Sequence, residues 1–190
     1  MSRSRTIIGL ATLALCGVSF ALAPAVQGMV QATKQHEKIK MGAGSWAGTL
    51  TTHSMGEPMT MPCSEVVTSI GDLWTTSRFE ADFMGMPFVG SSVLGYDPEK
   101  KKYVGTWIDS MHPRLTVMEG TYDEAKKAIV MEYDMLDDLT GTMKKMRSET
   151  VFNAQSYTMK FFVLEGRDAK LDMEINLNRK GTAMEAGAAR

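Results

Sequence analysis

The sequence is poor in cysteine, in clustered positive charge and in catalytic signature motifs, and each absence excludes a class of protein. It has two cysteines, Cys16 and Cys63, which excludes a disulfide-rich scaffold. Its basic clusters, Lys100–Lys102 and Lys144–Arg147, are short, whereas nucleic-acid binding needs a concentrated basic surface. No phosphate-binding loop, HExxH or Cys-x-x-Cys motif is present. The composition therefore indicates a globular domain that is stabilised by its own core.

The first 25 residues have the three parts of a secretory signal peptide. Arg3 and Arg5 give the positive start, residues 7–22 the apolar stretch, and Ala23–Ala25 a small-residue cleavage site. The apolar stretch is short for a membrane span, and no stop-transfer charges follow it. We therefore expect cleavage after residue 25 and a periplasmic or secreted mature protein without a transmembrane segment. Cleavage also leaves Cys63 as the only thiol.

After this leader the apolar residues recur with a period of two, which is typical of β-strands. The alternation is clearest in residues 128–136 and 170–180. Turn residues recur about every ten to thirteen positions, which separates about ten strands joined by short hairpins. Residues 31–41 lack glycine and proline and are rich in helix formers. The sequence predicts a signal peptide (1–25), a linker and short helix (26–43), one all-β, antiparallel up-and-down barrel (44–180) and a flexible tail (181–190).

Two residues at opposite ends of the strand series predict how the barrel closes. Counting by twos from Leu171 places Arg179 on the apolar face of the last strand, where an unpaired charge would be costly. Stacking of its guanidinium on Trp46, which belongs to the first strand, would offset that cost. This arrangement resembles lipocalin and calycin barrels, in which a Gly-x-Trp on the first strand meets a basic residue from the last. The alternative is that Arg179 reaches solvent at the strand end.

Four motifs resemble a known bacterial family, domain of unknown function 1579. They are GSWAG, MGMPFVGSSVLGYDPEKKKYVGTWIDSM, EGTYD and MEINLNRK, and the resemblance covers about Lys34 to Lys180. The family is uncharacterised, so the resemblance implies no catalytic or ligand-binding residues. The pair His112-Pro113 departs from the small polar residues expected after the long motif, so His112 is not a family feature.

The central hairpin is predicted to carry part of an interior wall. With residues 98–101 as its loop, Tyr96 pairs with Tyr103 and Ser92 with Trp107. We expect the Trp107 face to be interior, because small residues lie opposite its large side chains. The alternative turns the hairpin over and places a valine-rich face inside. The first choice also places Asp109 inside, where its charge needs a partner; the candidates are Arg78, Arg147 or a polar group of a ligand.

A barrel of about ten strands can enclose a small apolar molecule. The large side chains that could line its interior are Phe88, Leu94, Tyr96, Tyr103, Trp107, Met111, Met131, Tyr133, Met159 and Phe161. We therefore expect an exported barrel that binds a small apolar ligand, with Asp109 as the one charged residue of the wall.

The methionines suggest a second possibility, since the chain has 17 of them. In HSMGEPMTMPC, a three-residue loop at Gly56-Glu57-Pro58 would set His53 against Met61 and Met55 against Met59, with Cys63 beyond. His53, Met55, Met59, Met61 and Cys63 would then share one face, predicted to be the outer one. Thioether, thiolate and imidazole together suit Cu(I). The alternative is that methionine is an ordinary, adaptable packing residue here.

The sequence indicates no enzymatic role. Asp109, Ser110 and His112 are the residue types of a hydrolytic triad, but no G-x-S-x-G elbow surrounds the serine. Haem needs an axial ligand, and none of the three histidines lies in mid-strand on a clear apolar face. No cofactor and no oligomeric state is indicated. A structural or protein-binding barrel without a ligand therefore remains the third hypothesis, beside the apolar ligand and copper.

Overall fold

The structure, a computed structural model, describes residues 31–54, 56–137 and 140–181. In these residues one helix precedes ten strands: α1 (Lys34–Lys40), β1 (Gly44–Thr52), β2 (Met59–Ile70), β3 (Trp74–Phe83), β4 (Met86–Asp97), β5 (Lys102–Asp109), β6 (Thr116–Asp123), β7 (Ala128–Asp137), β8 (Thr142–Phe152), β9 (Ser156–Glu165) and β10 (Asp168–Arg179). Consecutive strands pair antiparallel, and β10 pairs with β1 to close a barrel. The predicted fold is confirmed; the predicted signal peptide and residues 182–190 of the tail lie outside the described residues.

The helix begins three residues later than the pattern of helix formers predicts. Thr33 has extended backbone angles (φ −106°, ψ 173°) and caps the helix. Its backbone N–H donates to Nδ1 of His36 at 3.0 Å, which satisfies a group that the helix itself leaves free. Within the described chain, α1 falls well short of the length and apolarity that a membrane-crossing helix requires.

The central hairpin has the register that its turn predicts. Tyr96 pairs with Tyr103, Ser92 with Trp107, and Gly90 with Asp109. The Trp107 face is interior, as expected, and Ile108 on the opposite face is 49% exposed. Position 90 must be glycine, because a Cβ there would lie 2.2 Å from the Trp107 ring.

The first hairpin has a different register from the predicted one. Thr52 pairs with Met59 and Leu50 with Met61, so the loop spans residues 53–58 and His53 does not oppose Met61. This odd shift reverses which side chains face inward. Met61 and Cys63 are buried inside the barrel, because they share a face with Leu50. The predicted outward-facing cluster is therefore wrong.

One end of the barrel is closed by the contacts of Trp46 and Arg179. The Arg179 guanidinium lies 4.1 Å from the Trp46 ring centroid, and it donates to Ala43 O at 2.8 Å and Ala154 O at 3.1 Å. Trp46 is fully buried, donates to Gly42 O at 2.8 Å, and meets the ring of a β9 tyrosine edge-on. Four segments of the chain are thus joined at one point.

Helix α1 covers this closed end from outside. Its residues His36 and Ile39 are each 2% exposed. Ile39 packs in a cluster with Tyr103 of β5, and the Tyr103 hydroxyl donates to Gln35 O at 3.3 Å. The His36 ring meets Tyr96 edge-on. The helix therefore closes one end of the barrel, and the opposite end is free of it.

We expect Arg179→Ala to lower the free energy of unfolding by about 2–4 kcal/mol, because it removes the cation–π contact and charged hydrogen bonds to two loops. Urea denaturation of the purified protein measures this. The matched control is Arg167→Ala in the exposed β9–β10 turn, which should change stability by less than about 0.5 kcal/mol. Equal effects of the two substitutions would contradict the role of Arg179 in closure.

Candidate functional site

The two ends of the barrel interior are packed to different degrees. At the closed end, inward side chains such as Trp46, Tyr103 and Tyr157 are at most 2% exposed. At the other end, here called the mouth, inward residues are only half-buried: Phe83, Phe88, Trp107, Phe161 and Met173. A filled core leaves no accessible surface on such residues. The interior is therefore less closely packed at the mouth, and the partly accessible part that these side chains line is here called the cup.

The barrel wall also separates between β2 and β3 near the mouth. Their ladder ends at the pair Cys63–Ala81, one residue from Pro62, which has no backbone N–H to donate. A groove of about 390 Å³ lies at this separation, and its lining includes Met59, Met61 and Met84. Since Met59 and Met61 have the inward orientation of Thr52 and Leu50, the groove gives lateral access to the interior face of β2.

A second separation lies across the barrel, between β6 and β7. Their ladder ends where Glu119 faces Glu132, a like-charge pair that disfavours continued pairing. A groove of about 240 Å³ lies beyond it, and its lining includes Val117, Tyr133 and Met146. The predicted wall residue Tyr133 therefore lies at this lateral groove. Together the two separations divide the mouth half into β3–β6 on one side and the remaining strands on the other.

An aromatic cluster forms the β3–β5 side of the cup. Phe88 lies 6.4 Å from Trp107 with the rings nearly parallel at 23°, and its centroid is 6.2 Å from Phe79 and 5.3 Å from Phe83. Phe161, from the opposite side, packs against the same core. The structure thus brings three of the predicted wall residues, Phe88, Trp107 and Phe161, together near the mouth.

The other predicted wall residues lie elsewhere. Tyr96, Tyr103 and Met131 pack at the closed end with Ile39 of α1, where they have little contact with the open part of the cup. Met111 is 44% exposed on the β5–β6 connection. The sequence pattern gives the inward face of each strand, but the depth of a residue depends on strand tilt and on the helix.

Asp109 is held by groups of its own loop and not by a distant arginine. The Trp107 indole donates to Asp109 Oδ2 at 3.0 Å; the Met111 and His112 backbone N–H groups each donate to Oδ1 at 2.9 Å, and His112 Nδ1 lies 2.8 Å from it. Burial raises the pKa of Asp109, but the hydrogen bonds from Met111, His112 and Trp107 outweigh it, so the pKa lies below its ordinary value.

The two arginines expected as partners of Asp109 are bound to other carboxylates. Arg78 Nε lies 2.9 Å from Glu80, and Arg147 Nε lies 3.0 Å from Glu149. Neither arginine is the partner, because a turn that supplies its own donors satisfies an aspartate locally. The Asp109 carboxylate consequently anchors the Trp107 ring and the β5–β6 connection.

Glu65 is the interior residue that sequence reasoning missed. It lies on the inward face of β2 and is 7% exposed. The Tyr157 hydroxyl donates to its Oε2, and Ser77, which is itself 2.8 Å from Ser92 Oγ, forms a hydrogen bond with it. Burial raises the pKa of Glu65 to about 7 despite the opposing effect of Ser77. Once Met61 is known to face inward, the alternation along β2 predicts that Glu65 faces inward as well.

The predicted copper ligands do not form the expected site. Burial, followed by the charge of Glu65, raises the pKa of the Cys63 thiol to about 12, which disfavours the thiolate that a metal needs. His53 lies in the β1–β2 loop, where its N–H donates to Asp172 O at 2.7 Å, and Met55 lies outside the described residues. Among the residues that the structure describes, no group of three His, Cys, Asp or Glu side chains could hold a metal ion.

Comparison with known proteins agrees with the barrel geometry. Residues 31–179 match DUF1579, a protein family of unknown function. The chain belongs to this family. No curated protein matches it. An S-type phycobiliprotein lyase from Guillardia theta is similar in structure to this DUF1579 protein (TM-score 0.54, 14% identity, 77% of this chain and 92% of that one). Rv2717c from M. tuberculosis is also similar in structure (TM-score 0.52, 15% identity), and the match covers 80% of this chain and 100% of that one. These likenesses show the fold.

The raised pKa of Glu65 predicts a pH-dependent stability. The raised pKa lets the native state keep the Glu65 proton up to about pH 7, whereas the unfolded chain loses it near the ordinary glutamate pKa of 4.5. Relative to Glu65→Gln, the wild type should therefore lose about 3 kcal/mol of unfolding free energy as pH rises through this window. Denaturant titrations of both proteins across the window measure the difference. Exposed Glu80→Gln should follow the wild type throughout; a constant difference for Glu65→Gln would contradict the linkage.

Proposed function

We propose that this DUF1579 protein binds a small apolar molecule in the mouth half of its barrel. The observation that carries the proposal is that Phe88, Trp107 and Phe161 face the interior and yet remain partly accessible. An apolar molecule that covers such surface gains about 25 cal/mol for each Å² removed from water. The similar barrel of a phycobiliprotein lyase agrees with a role in handling another molecule, although fold alone assigns none.

Exposed apolar side chains around the mouth support the same proposal. Met84 is 71% exposed and Met86 55% in the β3–β4 hairpin, Leu115 is 61% and Val117 60% exposed near the start of β6, and Met143 is 58% exposed in β8. Exposed apolar side chains also occur near the closed end, such as Ile70 at 54%, but those at the mouth border the partly accessible rings of the cup, and exposed apolar surface of this kind is typical of binding regions. Methionine side chains are flexible and polarizable, so they adapt to ligands of different shape. The rim can thus extend the apolar surface of the cup over a bound molecule.

The proposal includes export, which rests on the sequence of residues 1–25. Expression of the full chain in a bacterial host should give a mature protein that begins near Val26 in the periplasm or medium. N-terminal sequencing of each cell fraction tests this. Recovery of the uncleaved chain from the cytoplasm would contradict export without affecting the ligand proposal.

The decisive test of binding uses the uncharged fluorescent probe N-phenylnaphthylamine. We expect saturable binding with energy transfer from tryptophan, and a loss of affinity of about tenfold or more in Trp107→Ala, because the indole forms part of the cup.

Trp74→Ala is the matched control for this experiment. Trp74 also covers a glycine, since a Cβ at Gly95 would lie 2.1 Å from its ring, but it is 38% exposed and lies outside the barrel. The control should bind the probe as the wild type does. If Trp107→Ala folds and binds the probe equally well, the barrel is a structural or protein-binding module and the proposal fails.

A further inference from the structure

The charged groups that face the barrel interior leave an excess of carboxyl groups near the ligand cup. The inward basic residues of the described strands already bind other groups. Arg179 stacks on Trp46 and binds carbonyl groups at the closed end, and Lys144, which shares a face with Met146 on β8, lies 2.6 Å from Asp137 Oδ2 at the mouth. Among the described residues, Asp109 and Glu65 are the buried acids of the interior, and two more acids, half-buried Asp172 and exposed Glu165, lie at the mouth near Lys144.

Of the two buried acids, Glu65 lacks a basic partner among the described residues. Its hydrogen bonds come from hydroxyl groups, those of Tyr157 and Ser77. No basic side chain contributes to its proton affinity, which burial and Ser77 determine, although Asp109, Lys144 and Arg179 also face the interior from other strands. A buried carboxylate with neutral donors alone is costly, so a cation that came close would be strongly attracted to it.

Aromatic rings surround the same carboxyl group. Glu65 is paired across the ladder with Trp46 on one side and Phe79 on the other, and Tyr157 approaches it from β9. Aromatic faces attract cations through their quadrupoles, most strongly where water is excluded. A carboxyl group among aromatic rings therefore offers both a counter-charge and favourable surfaces to a nitrogen cation with an apolar body.

The lateral groove and Glu65 lie on the same face of β2. The groove between β2 and β3 is lined by Met59 and Met61, and the next inward residues of β2 are Cys63 and then Glu65. The side chains between the groove and the carboxyl group are those of Met61 and Cys63, which are each 7% exposed, so a ligand reaches Glu65 by displacing these apolar side chains. A ligand that entered at the groove or the mouth could place its apolar part against the methionines and its polar end toward Glu65.

We infer that the ligand class of this barrel is an apolar cation, a small hydrophobic molecule with a protonated nitrogen, and that Glu65 is its counter-ion. The inference rests on the proposed function and names the chemistry of its ligand. An anionic amphiphile such as a fatty acid would meet Glu65 and Asp109 with like charge and without an uncommitted inward cation among the described residues, so it is expected to bind worst.

The test compares three amphiphiles of equal chain length, dodecylammonium, dodecanol and dodecanoate, as competitors of bound N-phenylnaphthylamine below their micelle concentrations. At about pH 8 the ammonium group is still protonated, and it should displace the probe from the wild-type protein at a concentration about tenfold lower than dodecanoate does, with dodecanol between them. In Glu65→Gln the ammonium should lose most of its advantage while dodecanol is unchanged. Exposed Glu80→Gln should keep the wild-type order.

A second measurement needs no variant. Calorimetric titration of dodecylammonium in two buffers of different ionisation enthalpy should show release of up to about one proton per ligand near pH 6, where the cation must displace the Glu65 proton, and much less near pH 8. Dodecanol should release none.

The outcomes separate the two proposals. If the probe and dodecanol bind but the ammonium has no advantage and releases no proton, the cation inference is wrong and the apolar-ligand proposal stands. An unchanged ammonium preference in folded Glu65→Gln would likewise overturn the role of Glu65. If no probe or amphiphile binds, both proposals fail together. Should Glu65→Gln not fold, the proton release of the wild type decides.

Discussion

The rest of the structure depends on one contact, the stacking of the Arg179 guanidinium on the Trp46 indole. It fixes the register of the last strand against the first, and an up-and-down barrel has no other place to close. The same guanidinium binds carbonyl groups of the α1–β1 connection and the β8–β9 turn, so the closed end is cross-linked to the helix that covers it. A charge that would be costly in an apolar interior is accepted there because the ring face and the carbonyl groups replace water around it.

Because the closed end is fully packed, the open end can depart from ideal pairing. Both wall separations lie in the mouth half, and each begins at a residue that disfavours continued pairing. The β2–β3 ladder ends beside Pro62, and the β6–β7 ladder ends where Glu119 faces Glu132. The two halves therefore differ in how continuously their strands are paired, and segments with fewer backbone pairs open more easily. The half-buried aromatic side chains of the cup are a consequence of this division.

The sequence was sufficient for the fold because its information is local. Alternation along each strand and turn residues between strands predict ten strands, and the central hairpin even has its predicted pairs, because its short turn defines the register. The first hairpin failed because its loop is longer than the turn residues suggest, and an odd shift in register reverses every side chain. The candidate site was only partly predictable. The alternation along β4 and β5 predicts that Phe88 and Trp107 face inward. Glu65 was missed because the register predicted for the first hairpin was wrong. The burial of Tyr103 at the closed end depends on α1, which is distant from it in sequence.

The two interior carboxyl groups show how surroundings decide what an acid can do in this barrel. Asp109 receives donors from Trp107 and from the connection that follows it, so its pKa is lowered, it stays ionised, and it holds Trp107 in place. Glu65 has only hydroxyl donors, and burial favours its protonated form near neutral pH. The surroundings of Asp109 stabilise the β5 side of the cup. The surroundings of Glu65 leave a carboxyl group that, in the proposed binding, exchanges its proton for a cationic ligand. Because the inward arginine and lysine of the described strands are bound to other groups, the proposed binding would be selective by charge as well as by shape, and Glu65 is the residue at which that selectivity would arise.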